Sequence, residues 1–299
     1  MGSGVGKTLC CAALAALAAA CAPGETHECI VSADCPSGTC EDGMCTGGTD
    51  GGGEDAGSDQ PDADPARCSA NLDGVIERDE IPLQVGLTAS FRVATDSAVD
   101  TAGTMQPAGT RSWDFSNALP GDKTVEVTLA PIAGQWFAAA FPGADYWTPL
   151  AQGQELRGVF EITDASLLLR GVVSPNGGAT RTELVYDPPV AVMRFPLFEG
   201  THWSTTATIT GVAAGVPSLY TETYDYTADA VGDLVAPFGT FDVTRVRGEL
   251  TRTVGVVVTT SRSFLFSSEC FGTVASVFSN DYETEIEFSA AREVRRLTP

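Results

Sequence analysis

The feature that most constrains the fold of this chain is the spacing of its apolar residues in the region 67–299. In TVEVTL at 124–129, YTETYDYT at 220–227 and TEIEF at 284–288, apolar or aromatic residues alternate with polar ones. A period of two is typical of a strand with one buried and one solvated face. No stretch of the region shows the period of a long amphipathic helix. The spacing therefore predicts an all-β domain of about eleven or twelve antiparallel strands.

Turn-forming residues separate the predicted strands, as Pro, Gly, Asn and Asp commonly do in β proteins. The clearest turns are LPGD at 119–122, SPNGG at 174–178, DPP at 187–189 and PFG at 237–239. The region is long enough to enclose one substantial core. We expect an antiparallel curved sheet or half-open barrel, with a two-sheet β-sandwich as the alternative.

The N-terminus carries the pattern of an export signal. Lys7 supplies a positive charge, and residues 9–20 form an apolar run too short to cross a bilayer as a helix. The run ALAAAC at 16–21 resembles the lipobox of bacterial lipoproteins, which are cleaved before a cysteine that then receives lipid. The resemblance implies a signal peptide at 1–20 and a lipid on Cys21. Ala18 stands where the lipobox usually has leucine, so cleavage at an ordinary A-x-A site is the alternative.

The number of cysteines fits an oxidising compartment. Nine are present, and six remain if Cys10 and Cys11 leave with the signal peptide and Cys21 carries lipid. An even number suits three disulfides. Cys68 opens the β domain and Cys270 lies near its end, so we predict that these two pair and close the domain.

The other four cysteines lie close together within 21–45, which predicts a small disulfide-rich module. Three connectivities are open to four cysteines, and we predict the pairs Cys29–Cys40 and Cys35–Cys45. Zinc binding by the four thiolates is the alternative, although an oxidising envelope favours disulfides.

Residues 46–66, TGGTDGGGEDAGSDQPDADPA, hold six acidic residues and no basic ones. Such a composition cannot bury enough apolar surface to offset the entropy of ordering, so it predicts a disordered linker. Calcium binding by its aspartates is the alternative to a plain solvated spacer. The net charge of the chain, −22, argues against a nucleic-acid partner.

Two further stretches resemble known envelope proteins. DCPSGTCEDGMC at 34–45 resembles the short cysteine-rich modules of myxobacterial surface lipoproteins. RFPLFEGTHW at 194–203 and VAPFGTFDVTRVR at 235–247 resemble bacterial lipoproteins with curved, half-open sheets, some of them related to lipid carriers of the LolA/LppX type. Together with Ala22 after the lipobox cysteine, these resemblances imply an outer-membrane lipoprotein that binds an apolar ligand, a lipid or another envelope component.

The loop NLDGVIERDE at 71–80 aligns with the calcium-binding loop of an EF-hand. Ser69 stands at the first ligand position, where Asp is expected, and Pro82 stops the helix that should follow. The alternative is an ordered entry loop with a turn at Asp73 and Gly74. The candidate calcium ligands are Asn71, Asp73, Glu77 and Glu80.

Aromatic residues concentrate in two stretches, GQWFAAAFPGADYWTPL at 134–150 and the tyrosine face of 220–226. Aromatic side chains at the mouth of a sheet can hold sugars or acyl chains, although they more often pack in a core. The candidate ligand-binding residues are Trp136, Tyr146, Trp147, Tyr220 and Tyr224.

No catalytic constellation stands out in the β domain. His202 is its single histidine, and no G-x-S-x-G motif accompanies it. We therefore expect a non-catalytic envelope protein, anchored by lipid, without a cofactor other than the candidate calcium. A structural or adhesive surface protein is the first alternative, and a hydrolase with a carboxylate site is the second.

Overall fold

Strands form nearly all of the regular structure of this protein. The computed structural model describes residues 40–41, 44–45, 68, 70–151 and 154–299. Two 3-10 turns, Arg78–Glu80 and Ala138–Ala140, are the helical elements of this part of the chain. The seventeen strands are β1 (Cys40–Glu41), β2 (Met44–Cys45), β3 (Thr88–Ala98), β4 (Thr104–Met105), β5 (Arg111–Asp114), β6 (Lys123–Thr128), β7 (Ala130–Pro131), β8 (Tyr146–Ala151), β9 (Gln154–Ile162), β10 (Ser166–Val173), β11 (Glu183–Arg194), β12 (His202–Ala213), β13 (Val216–Val235), β14 (Thr240–Val254), β15 (Val257–Ser268), β16 (Gly272–Ser279) and β17 (Ala290–Thr298).

Several sequence predictions concern residues outside this range. The signal peptide at 1–20, the lipid on Cys21 and the linker at 46–66 are among them. They stay predictions.

The cysteine-rich module is described only at its end. Its strands β1 and β2 pair antiparallel, with Cys40 opposite Cys45. Cys29 and Cys35 lie outside the described residues, and only the backbone of Cys40 and Cys45 is described. The disulfide pairs of the module therefore also stay predictions.

The fifteen strands β3 to β17 belong to one sheet that curls into a nearly closed barrel. Along the sheet the order is β6-β3-β17-β16-β15-β14-β13-β12-β11-β10-β9-β8-β7, with β4 and β5 as a side branch. Neighbours on this path pair antiparallel. β5 pairs parallel with the last residues of β13, beyond the point where β12 begins. The prediction of an antiparallel half-open barrel is confirmed.

One continuous segment, Lys123–Pro131, forms both edges of the sheet. Its first part, β6, pairs with β3, and its last part, β7, pairs with β8. Between them, Leu129 donates its N–H to the Leu87 carbonyl at 2.9 Å and accepts the N–H of Gly86 at 2.8 Å. Because β6 pairs with β3 but forms no ladder with β8, the barrel keeps an unsealed seam along this segment.

The inner face of the barrel is filled by its own side chains. Buried apolar residues from β8 to β16 meet in one cluster, in which Tyr146 stacks on Phe160 at 5.2 Å and Trp203 lies against Tyr226 at 5.2 Å. The predicted tyrosine face of β13 is part of this cluster, and Tyr224 and Tyr226 are buried there. The alternation in the sequence of β13 thus correctly predicts which of its side chains face the inside of the barrel.

The segment before β3 closes one end of the barrel. Ile76 pairs with Leu197 through two backbone hydrogen bonds of 2.8 and 2.9 Å, and Ile81 packs into the inner cluster. The predicted disulfide between Cys68 and Cys270 is confirmed, with 5.4 Å between the two Cα atoms. The N–H of Cys270 also donates to the Glu80 carbonyl at 2.7 Å.

The connection between β3 and β6 covers the outer face of the barrel. Trp113 and Phe115 pack edge-on against Phe266 of β15, at 5.1 and 5.3 Å between ring centroids. The Arg245 guanidinium fixes the same connection, donating to the Thr101 carbonyl at 2.6 Å. This cover explains why every residue of β16 is buried, although a strand with one solvated face would alternate.

Two sequence predictions of local structure are wrong. TEIEF at 284–288 alternates but forms a loop between β16 and β17. Phe288 stacks on Phe264 of β15 at 5.6 Å and Glu287 pairs with Arg245 of β14, so contacts with the outer face of these two strands replace a ladder. DPP at 187–189 lies inside β11 and does not form a turn. Proline cannot donate to a ladder, and the pairing of β11 with β12 accordingly stops at Asp187.

Candidate functional site

The structure places the predicted ligand-binding aromatics on both sides of the barrel wall. Tyr146 and Tyr224 are buried inside, and the Tyr224 hydroxyl donates to Glu222 at 2.6 Å. Tyr220 lies beside them on β13, with its ring 5.6 Å from the Arg252 guanidinium. Burial raises the pKa of the Tyr146 phenol well above its usual range. In this structure, these tyrosines pack in the core of the barrel.

The two tryptophans lie outside the barrel. Trp136 donates to the Ser174 carbonyl at 3.3 Å and sits over Gly177, in a cluster with Phe137 that covers β9 and β10. Trp147 stacks under the Arg157 guanidinium at 3.9 Å. The five aromatics therefore do not meet in one site, and a ligand role for any of them stays a prediction.

The candidate calcium loop uses its oxygens for backbone turns. Asn71 Oδ1 accepts the N–H of Asp73 at 2.9 Å, and Asp73 Oδ1 accepts the N–H of Val75 at 2.8 Å. Glu77 and Glu80 form a capping box around the short 3-10 turn. Gly74 takes the left-handed conformation that the turn requires. The arrangement is that of the ordered entry loop, and calcium binding stays a prediction.

Two general observations concern the described residues as a whole. Within them, no group of three or more His, Cys, Asp or Glu side chains is arranged to hold a metal ion. In the same part of the chain, no helix is both long and apolar enough to cross a bilayer.

His202 lies on the surface, where its Nε2 is 3.2 Å from the Asp225 carboxylate.

Exposed apolar side chains gather at one end of the barrel, in two neighbouring hairpins. The β14–β15 hairpin carries Val254, Val256, Val257 and Val258, which we call the valine tip; Val256 is 98 % exposed. The β12–β13 hairpin carries Val216 and Leu219, which we call the leucine tip; Leu219 is 71 % exposed. Thr221 pairs with Thr253, so both turns project at the same end.

The two tips are uncharged in a strongly acidic chain. No charged residue occurs from 203 to 221 or from 253 to 261. Residues adjacent in a strand point to opposite faces, so Val257 and Val258 expose apolar surface on both sides of their hairpin. Each tip is therefore apolar on both of its faces, and it is not merely the edge of an apolar surface on one side of the sheet.

A concavity of about 210 Å³ opens at the other end, between the entry loop and strands β13 and β14. Asp233 and Asp242 lie opposite each other across these strands, so their carboxyl groups are close neighbours. Burial, hydrogen bonding to Asp233 and the charges of Asp233 and Glu269 raise the pKa of Asp242 above its usual value. The concavity is therefore lined by carboxyl groups that lie close together.

Sequence reasoning did not find either of these features. The run VGVVV at 254–258 carries a signal for the first, because a glycine turn flanked by valines lacks the polar residues of a solvated hairpin. Nothing in the sequence marks Asp233 and Asp242 as a pair, because their contact depends on the register of β13 against β14.

Comparison with known proteins adds little to this picture. No family model matches the chain, and no curated protein matches it in sequence. Among solved structures, the chain is similar to a protein of Bacteroides fragilis described as exported and as having a YmcC-like fold. The identity is 10 %, the TM-score is 0.34, and the match covers 72 % of this chain and 94 % of the other.

Proposed function

We propose that this protein is an exported, lipid-anchored component of the cell envelope whose barrel contacts a lipid membrane through the valine and leucine tips. The observation that carries the proposal is the exposure of apolar side chains on both faces of the two hairpins, at one end of the barrel and in stretches without a charged residue. A flat protein partner would cover only one face of a hairpin. The interfacial region of a bilayer surrounds both.

The filled interior is the reason to prefer membrane contact over carriage of an apolar ligand. The inner pocket formed by Tyr224, Tyr226 and Phe278 with their neighbours measures about 20 Å³. This is room for about one water molecule, and an acyl chain needs far more. The hairpin tips, by contrast, expose apolar side chains that a membrane can cover.

Export is supported by the disulfide and by the N-terminal pattern. The bond between Cys68 and Cys270 suits an oxidising compartment, since disulfides are rare in the cytosol. The lipobox-like run before Cys21 supplies the anchor in this proposal, and the outer membrane is the location that the resemblance favours.

The anchor is tested by growing cells that produce the full chain with labelled palmitate. We expect label in the wild-type protein and none after Cys21→Ala, because the lipid is attached at that cysteine. The variant Cys11→Ala, inside the predicted signal peptide, serves as the control and keeps the label. Equal labelling of wild type and Cys21→Ala would contradict the anchor while leaving the role of the tips open.

Membrane contact is tested with the unlipidated exported chain, residues 22–299, floated with neutral phosphatidylcholine vesicles. Full burial of one valine is worth about 1.5 kcal/mol or more, so Val256→Asp and Leu219→Asp should each lower the vesicle partition constant about tenfold. Binding should persist at high salt, because it is apolar.

The matched control for this test is Val85→Asp, since Val85 is an exposed apolar residue outside both tips. It should leave vesicle binding unchanged. Equal loss in this control and in the tip variants, or no flotation of the wild-type chain, would overturn the membrane contact. Capture of another envelope protein through an intact tip would then favour the adhesive alternative.

A further inference from the structure

The two apolar tips lie far from the point where the chain enters the barrel. Cys68 is bonded to Cys270, which stands in the turn between β15 and β16. The valine tip lies at the other end of β15, a strand of twelve residues. Because a strand rises about 3.3 Å per residue, about 35–40 Å separates the disulfide from the valine tip along the barrel.

A second contact holds the chain at the same end of the barrel. Ile76 pairs with Leu197, in the connection between β11 and β12. Strand β12 runs from this connection to the leucine tip, also over twelve residues. The segment that leads into the barrel is therefore fixed by two separate contacts at the end opposite both tips. We call this end, with Cys68, Ile76 and Cys270, the entry end.

The two ends of the barrel differ in chemistry. At the entry end, Asp233, Asp242 and Glu269 line the concavity, and no Lys or Arg is among the described residues that line it. Ionised carboxyl groups enter a bilayer only at a high cost in free energy, so this end suits water. At the other end, the tips expose apolar side chains in stretches without charge. The end that suits contact with lipid is thus the one remote from the entry point.

Tyr282 adds an amphipathic ring beside the valine tip. It lies in the loop between β16 and β17, is 60 % exposed, and donates its N–H to the Thr260 carbonyl at 2.6 Å. Its hydroxyl is 3.4 Å from Oγ1 of Thr259, the residue that follows Val258. Tyrosine favours the headgroup layer of a bilayer, because its ring is apolar and its hydroxyl is polar. Its position behind the valines fits a barrel that meets a bilayer with this end first.

The lipid proposed for Cys21 reaches the barrel through residues 22–67, which include the linker predicted at 46–66. A flexible chain of that length has a root-mean-square span of about 25 Å. The entry end and the tips are about 35–40 Å apart, which is more than this span. The linker must therefore stretch along the barrel if the tips are to touch the bilayer that holds the lipid. Contact with a bilayer on the far side requires no such stretch.

We propose that this protein bridges two bilayers, one that holds the lipid on Cys21 and a second that the valine and leucine tips contact. The inference rests on the proposed function and adds to it that the two membrane contacts face opposite directions. The barrel supplies the distance between them, because its strands run from the entry end to the tips. The second partner is a phospholipid surface, so the tips need no protein receptor.

Capture of one vesicle population by another tests the bridge. The full lipidated chain is inserted through its lipid into preformed phosphatidylcholine vesicles that are loaded with sucrose. Dye-labelled phosphatidylcholine vesicles without protein or sucrose are then added, and centrifugation sediments the loaded vesicles. We expect at least about tenfold more dye in the pellet than with protein-free loaded vesicles, because many copies of the protein hold each captured vesicle.

Variants identify the parts of the chain that capture requires. Val256→Asp should lower the captured dye about tenfold, and Val85→Asp is the matched control that should leave it unchanged. The unlipidated chain, residues 22–299, should capture nothing, because it has only one membrane contact. Deletion of residues 50–63 should preserve capture, because the barrel and not the linker supplies the distance.

A dye at the valine tip reports which bilayer the tip contacts. The variant Val256→Cys is labelled with a nitrobenzoxadiazole dye, whose emission rises when it enters an apolar layer. Emission should stay low when the lipidated chain is in its own vesicles, and it should rise several-fold after protein-free vesicles are added. The unlipidated labelled chain should show the same rise with the added vesicles.

Three results would overturn the bridge. High emission before protein-free vesicles are added, without capture, would show that the tips contact the bilayer that holds the lipid. The proposed membrane contact would then stand, and only the bridge would fail. Loss of capture on deletion of 50–63 would show that the linker supplies the distance. Low emission of the lipidated and unlipidated chains with all vesicles would remove the membrane contact itself, and the bridge with it.

Discussion

Replacing both Cys68 and Cys270 with alanine is expected to lower the free energy of unfolding of the exported chain by about 3–5 kcal/mol. The two cysteines are 202 residues apart, so their bond closes nearly the whole β domain into one loop. In the chain-entropy model, a loop of this length restricts the unfolded state by about 5 kcal/mol, and native-state effects reduce that figure. Urea unfolding followed by tryptophan fluorescence measures the difference.

Reduction provides the matched control for this prediction. Dithiothreitol should destabilise the wild-type chain by about the same amount and leave the alanine variant unchanged, since the variant has no bond to break in the barrel. An alanine variant as stable as the oxidised wild type would contradict the prediction. It would show that the noncovalent contacts of the entry segment are enough to stabilise the barrel without the disulfide. Those contacts include the pairing of Ile76 with Leu197 and the hydrogen bond from Cys270 to Glu80.

The fold could be predicted from the sequence where one physical signal dominates. Alternation in YTETYDYT identifies the inner face of β13 because the barrel interior is the largest apolar environment available to the strand. The pairing of Cys68 with Cys270 follows from parity and from their positions at the two ends of the domain. Both inferences need only local pattern and counting.

Prediction fails where tertiary contacts compete with local pattern. TEIEF at 284–288 has the period of a strand, yet Phe288 and Glu287 contact the outer faces of β15 and β14, and the segment stays a loop. The all-buried pattern of β16 depends on the connection from β3 to β6, which lies far away in sequence. No local sequence pattern in β16 indicates that a distant segment covers its outer face.

The candidate sites were harder to predict for a related reason. Aromatic density at 134–150 suggested a ligand site, but Trp136 and Phe137 pack on the outer wall while Tyr146 packs on the inner one. A strand sends alternate residues to opposite faces, so density along the chain does not mean proximity in space. The Asp233–Asp242 pair arises in the opposite way, from residues brought together by strand register.

Replacing Arg252 with methionine is expected to cost about 3–5 kcal/mol of unfolding free energy. Glu222 is completely buried inside the barrel, and its carboxylate accepts the Tyr224 hydroxyl at 2.6 Å and the Arg252 Nε–H at 2.7 Å. Removing the guanidinium leaves a buried charge without its counter-ion, and water cannot replace it in a filled interior. Urea unfolding of the exported chain measures the loss.

Two comparisons separate this effect from the loss of a long side chain. Adding Glu222→Gln to Arg252→Met should recover part of the stability, because the buried charge is then absent. Arg170→Met removes the partner of Glu161 from a partly exposed pair on β9 and β10, and it should cost only about 1 kcal/mol or less. If Arg252→Met costs no more than Arg170→Met, then water reaches Glu222. The interior would in that case be open enough to admit a ligand, and carriage of an apolar molecule would regain support over membrane contact through the tips.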